Sequence, residues 1–179
     1  MDEADPCAQL AAQAHRLRAR ALRLLAQREH SRSELARKLA HAARDPAPPE
    51  ALLERVLDDL QAQGLLDDRR FAASLARRLL PRHGAQRVML ELRRHAIDPA
   101  CIARAVQEAQ CGLPDEVERA RQMLQRQHAR PDADAAERAR WMRFLQRRGF
   151  DSEAALRALR ALRVEAGTTQ ACEAIRGDD

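Results

Sequence analysis

Apolar positions recur along this chain at helical spacing, and the breaks between the stripes fall on glycine, proline and aspartate. Leu17, Ala21, Leu24 and Leu25 form the first stripe, which ends near Gln27. Leu35 and Leu39 carry the second, on a helix read from Ser33 to about Ala42, and Leu53, Val56, Leu57 and Leu60 carry the third, between Glu50 and Gln63. The segment from Asp45 to Pro49 separates these two and cannot be helical in its interior, because its prolines lack the amide that a helix bonds. Phe71, Leu75 and Leu79 then follow at i, i+4 and i+8, after Gly64 and the acidic pair Asp67 and Asp68. A helix start favours acceptors and negative charge at that place. Pro81 and Gly84 end that helix. Val88, Met89 and Leu92 mark the next, and Asp98 with Pro99 opens another that carries Ile102 and Val106 to about Gln110. Beyond Gly112 and Pro114, three more helices are predicted: Val117 to Gln127, Ala135 to Arg148 with Trp141, Phe144 and Leu145, and Ser152 to about Glu165. Residues 1–13 and 166–179 show no sustained stripe and are expected as flexible tails.

The stripes repeat. Leu39, Leu92 and Leu145 stand 53 residues apart at each step, and so do Leu35, Val88 and Trp141, and Asp45, Asp98 and Asp151. Three registers at one step mark an internal repeat. The reading is therefore an all-α chain of three tandem three-helix units, over 14–63, 64–111 and 112–165. A unit of about 50 residues is marginal alone, so neighbours stack end to end into an elongated array that can curve. Ser31 and Glu34 fit a capping box ahead of the second helix, the hydroxyl accepting from the Glu34 amide and the carboxylate reaching back to the Ser31 amide.

Composition sharpens this picture. Alanine, leucine and arginine favour helix, and aromatics are only 2% of the chain, so the cores are thin helix–helix seams. From Arg69 to Ile97 there are eight arginines against the single acid Glu91, a net of +7 in a chain whose whole charge is +5. The basicity is thus local, as an electrostatic footprint for a polyanion or an acidic protein surface would be. No apolar run approaches the roughly 20 residues needed to span a bilayer, and the acidic start MDEADPCAQ excludes a secretory signal. A cytoplasmic protein without membrane contact is expected, with Cys7, Cys101, Cys111 and Cys172 as free thiols. The six histidines are scattered, and no phosphate loop, HExxH or GxSxG motif is present. Neither an enzyme nor a cofactor or metal is expected. Asp58-Asp59 and Asp67-Asp68 read as caps or surface charge, and Phe71, Val88, Leu92 and Trp141 as core.

Three segments resemble a known family. Arg28-Glu29-His30-Ser31-Arg32-Ser33-Glu34-Leu35 is similar to the first-repeat motif of the RecX family, bacterial modulators of the RecA recombinase. Gly64-Leu65-Leu66-Asp67-Asp68-Arg69-Arg70-Phe71-Ala72 resembles the central motif, and Arg147-Arg148-Gly149-Phe150-Asp151 the third. The motifs come in the family's order and cover roughly residues 15–163; the absence of tyrosine is a departure. The resemblance implies tandem three-helix repeats in a non-enzymatic regulator of homologous recombination, DNA repair and the SOS response. It implies binding along the groove of the RecA–single-stranded-DNA filament, with inhibition of its ATPase, strand-exchange and coprotease activities. Single-stranded DNA would be contacted weakly or through RecA, by a monomer.

Arginines are the candidates for that contact, because guanidinium forks bind both phosphates and carboxylates. They are Arg69, Arg70, Arg77, Arg78, Arg82, Arg87, Arg93 and Arg94 in the basic segment, and Arg143, Arg147 and Arg148 in the third unit. Arg70, Arg77 and Arg78 can share one helix face. The rival reading is a helix-turn-helix DNA reader with Gln86 to Arg94 in the major groove. Against it, that helix has no Asn and only Gln86 to read adenine.

Overall fold

The chain's structure, a computed structural model, describes residues 6–42 and 48–163. Its helices are α1 (Pro6–Leu25), α2 (Arg32–Ala42), α3 (Glu50–Ala62), α4 (Asp68–Leu79), α5 (Ala85–Arg94), α6 (Pro99–Gln110), α7 (Glu116–Arg126) and α8 (Ala135–Arg147). A further helix, α9, covers 152–163, and the described residues form no strand. None of these helices is long and apolar enough to cross a membrane.

Five of the helices start behind an aspartate that accepts first-turn amides. Asp67 Oδ1 accepts from the Arg69 amide at 2.7 Å and from the Arg70 amide at 3.3 Å. Asp98 Oδ1 takes the Ala100 and Cys101 amides at 2.9 and 3.1 Å. Asp115 and Asp134 each accept the amide three residues on at 2.7 Å, and Asp151 takes the Glu153 amide at 2.8 Å. These bonds satisfy first-turn donors that no helical carbonyl reaches. Two helices stop on left-handed glycines, Gly64 at φ +67° and Gly149 at φ +82°. Behind them the Leu65 amide returns to the Leu60 carbonyl at 2.9 Å, and that of Phe150 to Leu145 at 3.1 Å.

The start of the chain differs from the expectation. Residues 1–13 were to be a flexible tail, yet α1 begins at Pro6. Ala8, Ala11, Ala12 and Ala14 give the segment high intrinsic propensity, and proline is at home in the first helical position. The stripe signal failed because residues 7–12 are exposed and bury no face. Asp45 of the repeat register, most of its proline loop, and the segment 166–179 lie outside the described residues.

The two apolar 53-residue registers are inward positions. Leu39, Leu92 and Leu145 have no exposed surface; nor do Leu35 and Val88, and Trp141 is 9% exposed. The chain divides into two compact units, Met1–Ser74 with Leu92–Ile102, and Leu75–Glu91 with Ala103–Asp179. In the first, α1, α2 and α3 pack together over Leu17, Ala21, Leu35, Leu39, Leu57 and Leu60. There the Arg32 amide donates to Asp68 Oδ1 at 2.8 Å, the Ser33 hydroxyl to the His95 carbonyl at 2.5 Å, and Phe71 meets His95 edge-on at 4.8 Å. In the second, Ala120, Met123, Leu124, Trp141, Leu145 and Phe150 form the core, with Trp141 edge-on to Phe144 at 5.8 Å. Among the described residues, Cys7, Cys101 and Cys111 form no disulfide.

Candidate functional site

The first unit holds four of the candidate arginines. Arg69, Arg93 and Arg94 are exposed. Arg70 is engaged: its Nε donates to Glu29 at 2.9 Å, and its guanidinium reaches the carbonyls of Gly64 at 2.7 Å and Leu65 at 3.2 Å. It fastens the turn after α3. Asp67 lies 3.9 Å away as a near neighbour in the chain, but the closer acid partner, Glu29, is 41 residues away, out of reach of any reading based on helix neighbours.

The second unit holds the rest. Arg77, Arg78, Arg82, Arg87, Arg143 and Arg147 are exposed, and Arg148 is half-buried with its guanidinium 5.3 Å from the Phe144 ring centre. None of these seven pairs with a carboxylate among the described residues. Two stretches of backbone draw several of them together. The Gly84 amide donates to the Arg148 carbonyl at 3.0 Å and the Gln86 amide to the Gly149 carbonyl at 3.2 Å. A Cβ on Gly84 would stand 2.0 Å from the Gly149 oxygen, so only glycine permits this approach.

The turn from Pro81 to Gly84 is held from a third side. Arg119, buried on α7, donates from Nη1 to the carbonyls of Leu80 at 2.5 Å and His83 at 3.2 Å. Glu116 accepts the Ala85 amide at 3.2 Å. Burial pushes the Arg119 guanidinium down, against the opposing pull of Glu116 and Asp115. Arg119 was missed in the sequence. The signal was there: it stands at the fourth position of α7, as Phe71 does in α4, and four residues before Met123, on a face that should have been apolar.

His83 sits inside this turn. Burial lowers its pKa, and the charges of Arg148, Arg87 and Arg82 lower it further. Its buried Nδ1 makes no hydrogen bond of good geometry, although the Arg148 carbonyl is close enough to favour the protonated ring.

The first unit has a turn at the same register, since 53 residues also separate His30 from His83, Ser31 from Gly84, Arg32 from Ala85 and Glu34 from Arg87. The helices agree, for α2 begins at Arg32 and α5 at Ala85. His30, Ser31 and Glu34 are all buried. Ser31 Oγ accepts the Glu34 amide at 3.1 Å, as the capping box requires. The Glu34 carboxylate does not return to the Ser31 amide. It pairs instead with Arg28 and, at 3.1 Å, with Lys38, and lies 3.8 Å from His30 Nε2. His30 Nδ1 bonds the Arg28 carbonyl at 3.0 Å. Burial would push Glu34 up, but bonds from Arg28 and Lys38 hold it down to about 2. The histidines had read as scattered; the repeat step is the signal that pairs them.

Among the described residues no group of three or more His, Cys, Asp or Glu side chains is placed to hold a metal ion. Gln86, the one adenine reader on α5, donates its side-chain amide to Asp151 at 3.4 Å. The arrangement is therefore a set of arginines around a turn whose backbone is fastened by Arg119, Glu116 and the Arg148 and Gly149 carbonyls.

Comparison with known proteins places these features in a family. The model of the RecX second three-helix domain matches residues 67–106, and that of the third matches 114–159. The regulatory protein RecX of Leptothrix cholodnii is 46% identical over 145 residues, covering 80% of this chain and 87% of that one. RecX of Herminiimonas arsenicoxydans is 44% identical, covering 81% and 91%. A crystal structure of regulatory protein RecX has a TM-score of 0.68 at 24% identity, over 86% of this chain and 77% of the other. RecX from Lactobacillus salivarius gives 0.66 at 18%, over 86% and 99%. At those identities the structures establish the shared helical fold.

Proposed function

The chain belongs to the RecX family, and from that premise we propose that it is a non-enzymatic regulator that binds the RecA–single-stranded-DNA filament in the cytoplasm. It inhibits the filament's ATPase, strand-exchange and coprotease activities and so restrains recombination and repair. The observation that carries this reading is the run of exposed arginines in the second unit that no carboxylate neutralises. Folding gains little from leaving cations so, while a filament built of phosphates and acidic side chains can pair them. The helix-turn-helix alternative is less well supported, because Gln86 is engaged with Asp151 and α5 has no other amide side chain to read bases.

The test is the single-stranded-DNA-dependent ATPase of RecA, with and without this protein. Inhibition is expected. Arg77→Glu with Arg78→Glu should weaken it, while Arg20→Glu with Arg23→Glu, an equal charge change on exposed positions of α1, should not. Equal loss in both double variants would reduce the effect to bulk charge. An ATPase indifferent to the unaltered protein would end the reading.

A further inference from the structure

The turn after α4 has the same scaffold as the turn before α2 but lacks its carboxylate. In the first unit Glu34 lies among Arg28, Lys38 and His30 and pairs with both cations there. At the corresponding step the second unit has Arg87, and the charges that bear on His83 are those of Arg148, Arg87 and Arg82. The remaining acids are committed or displaced. Glu116 takes the Ala85 amide, Asp151 takes Gln86, and Glu91 stands a turn further along α5 at the step of Lys38.

The cap has changed with the charge. Ser31 closes the start of α2 through its hydroxyl; Gly84 has none, and the space is filled by the Gly149 carbonyl. That exchange brings Arg148 to the turn. Arg119 then fixes the turn by binding two of its carbonyls. The backbone contacts thus bring three arginines to a histidine, and among the described residues no carboxylate pairs with any of the three.

We infer that the turn formed by Arg82, His83, Arg87 and Arg148 is an oxyanion site that takes a phosphate group of single-stranded nucleic acid, in the role that Glu34 fills internally in the first unit. This deepens the preceding reading by naming the ligand of one part of its surface, and it rests on that reading for the nucleic acid being single-stranded. A phosphodiester fits better than a lone carboxylate. Arg77, Arg78 and Arg147 extend the exposed cationic surface of the same unit, and a strand with a charge at every nucleotide engages such a surface continuously. Occupancy couples to His83. An anion among the three guanidiniums offsets the charges that now disfavour its protonation, and the charged ring can then donate from Nδ1 to the Arg148 carbonyl.

The experiment is an NMR titration of the histidine rings in the full chain, with His83→Gln to assign the His83 signal and oligo(dT) as the probe. Oligo(dT) should shift that signal and raise its pKa, and affinity should rise as pH falls through the His83 titration. Arg87→Glu should raise the His83 pKa without ligand, remove the oligonucleotide-induced shift, and weaken oligo(dT) binding by about tenfold or more. Arg82→Gln with Arg87→Gln tests the same point by neutralisation should the charge reversal disturb folding. A His83 titration unmoved by saturating oligo(dT) would overturn the site, as would an unchanged response in the Arg87 variants. Poly-glutamate moving His83 where oligo(dT) does not would overturn it in favour of a carboxylate ligand. RecA inhibition with an unmoved His83 rejects this site alone; a responsive His83 without RecA inhibition rejects the earlier reading alone.

Discussion

The His30 turn of the first unit and the His83 turn of the second share their apolar frame and differ in their polar positions. Leu35 and Val88, and Leu39 and Leu92, are without exposure at matching steps, and α2 and α5 start in register. Around that frame, Ser31 and Glu34 close one turn internally, whereas Gly84 and Arg87 leave the other with excess positive charge. Repeat units need the same inward positions in order to stack. Their polar positions are free to diverge, so one turn can be a structural staple while its counterpart becomes a binding surface. The same contrast recurs at the fourth position of α4 and α7. Phe71 lies against His95 in the first unit, while Arg119 binds backbone carbonyls in the second.

The sharpest way to break the comparison is to remove the acid that closes the first turn. Glu34→Gln should destabilise the fold by about 3 kcal/mol, since it removes the charge-assisted bonds that Arg28 and Lys38 give to a buried carboxylate. Denaturant unfolding measures this. The pH dependence gives an independent check. Glu34 titrates at about 2 in the folded protein against 4.5 normally, so its contribution is fully present above about pH 4.5 and is lost as pH falls towards 2. His30 acts in the same direction at higher pH. Burial lowers its pKa, so its neutral form favours the fold above about pH 6.5, and stability falls as the solution becomes more acidic. The unaltered protein should lose stability between pH 4.5 and 2 more steeply than Glu34→Gln. Parallel acid profiles would mean that Glu34 does not close the turn.

A smaller effect separates the two caps. Gly84→Ala forces a Cβ to 2.0 Å from the Gly149 oxygen, a backbone atom that cannot rotate away. It should cost about 2 kcal/mol, in the range of overpacking. Ser31→Ala removes only the bond to the Glu34 amide and should cost about 1 kcal/mol. Thermal unfolding of both variants ranks them. Reversal of the order would show that the approach of Gly84 to Gly149 is loose.

Helix periodicity made most of the fold legible, because the seams are leucine and alanine at 3.6-residue spacing and five of the starts are aspartates. The site was legible in part. The excess of arginine between Arg69 and Arg94 was plain, but which arginines are committed was not, since Arg70 is bound by Glu29 and by two carbonyls beyond its own helix. Arg119 was overlooked because an arginine is ordinarily a surface residue, and only its register among Ala120, Met123 and Leu124 marks it as inward. The meeting of Gly84 with Gly149 is a tertiary contact between loops, and no local pattern encodes it. The correspondence of His30 with His83 did lie in the sequence, at a step already recognised for the leucines.

The smallest predicted effect is also the most direct conversion of one turn into the other. Arg87→Glu places an acid at the step of Glu34, in the first turn of α5, where negative charge is favoured by the helix dipole. It removes one of the charges that lower the His83 pKa and puts an attractive one in its place. In the unaltered protein His83 has a lowered folded pKa, so stability is lost as pH falls below about 6.5. In the variant, with the folded pKa raised, a His83–Glu pair adds stability that is present below the unfolded value and lost as pH rises through the folded one. The two proteins should therefore differ little at pH 8, apart from the dipole contribution. As pH falls below 6.5 the variant should become the more stable, by about 1 kcal/mol, the size of a partly exposed ion pair. Unfolding of both proteins at matched pH values measures the difference. A difference that does not grow on acidification would mean that position 87 does not face His83, and that the second turn cannot be closed as the first one is.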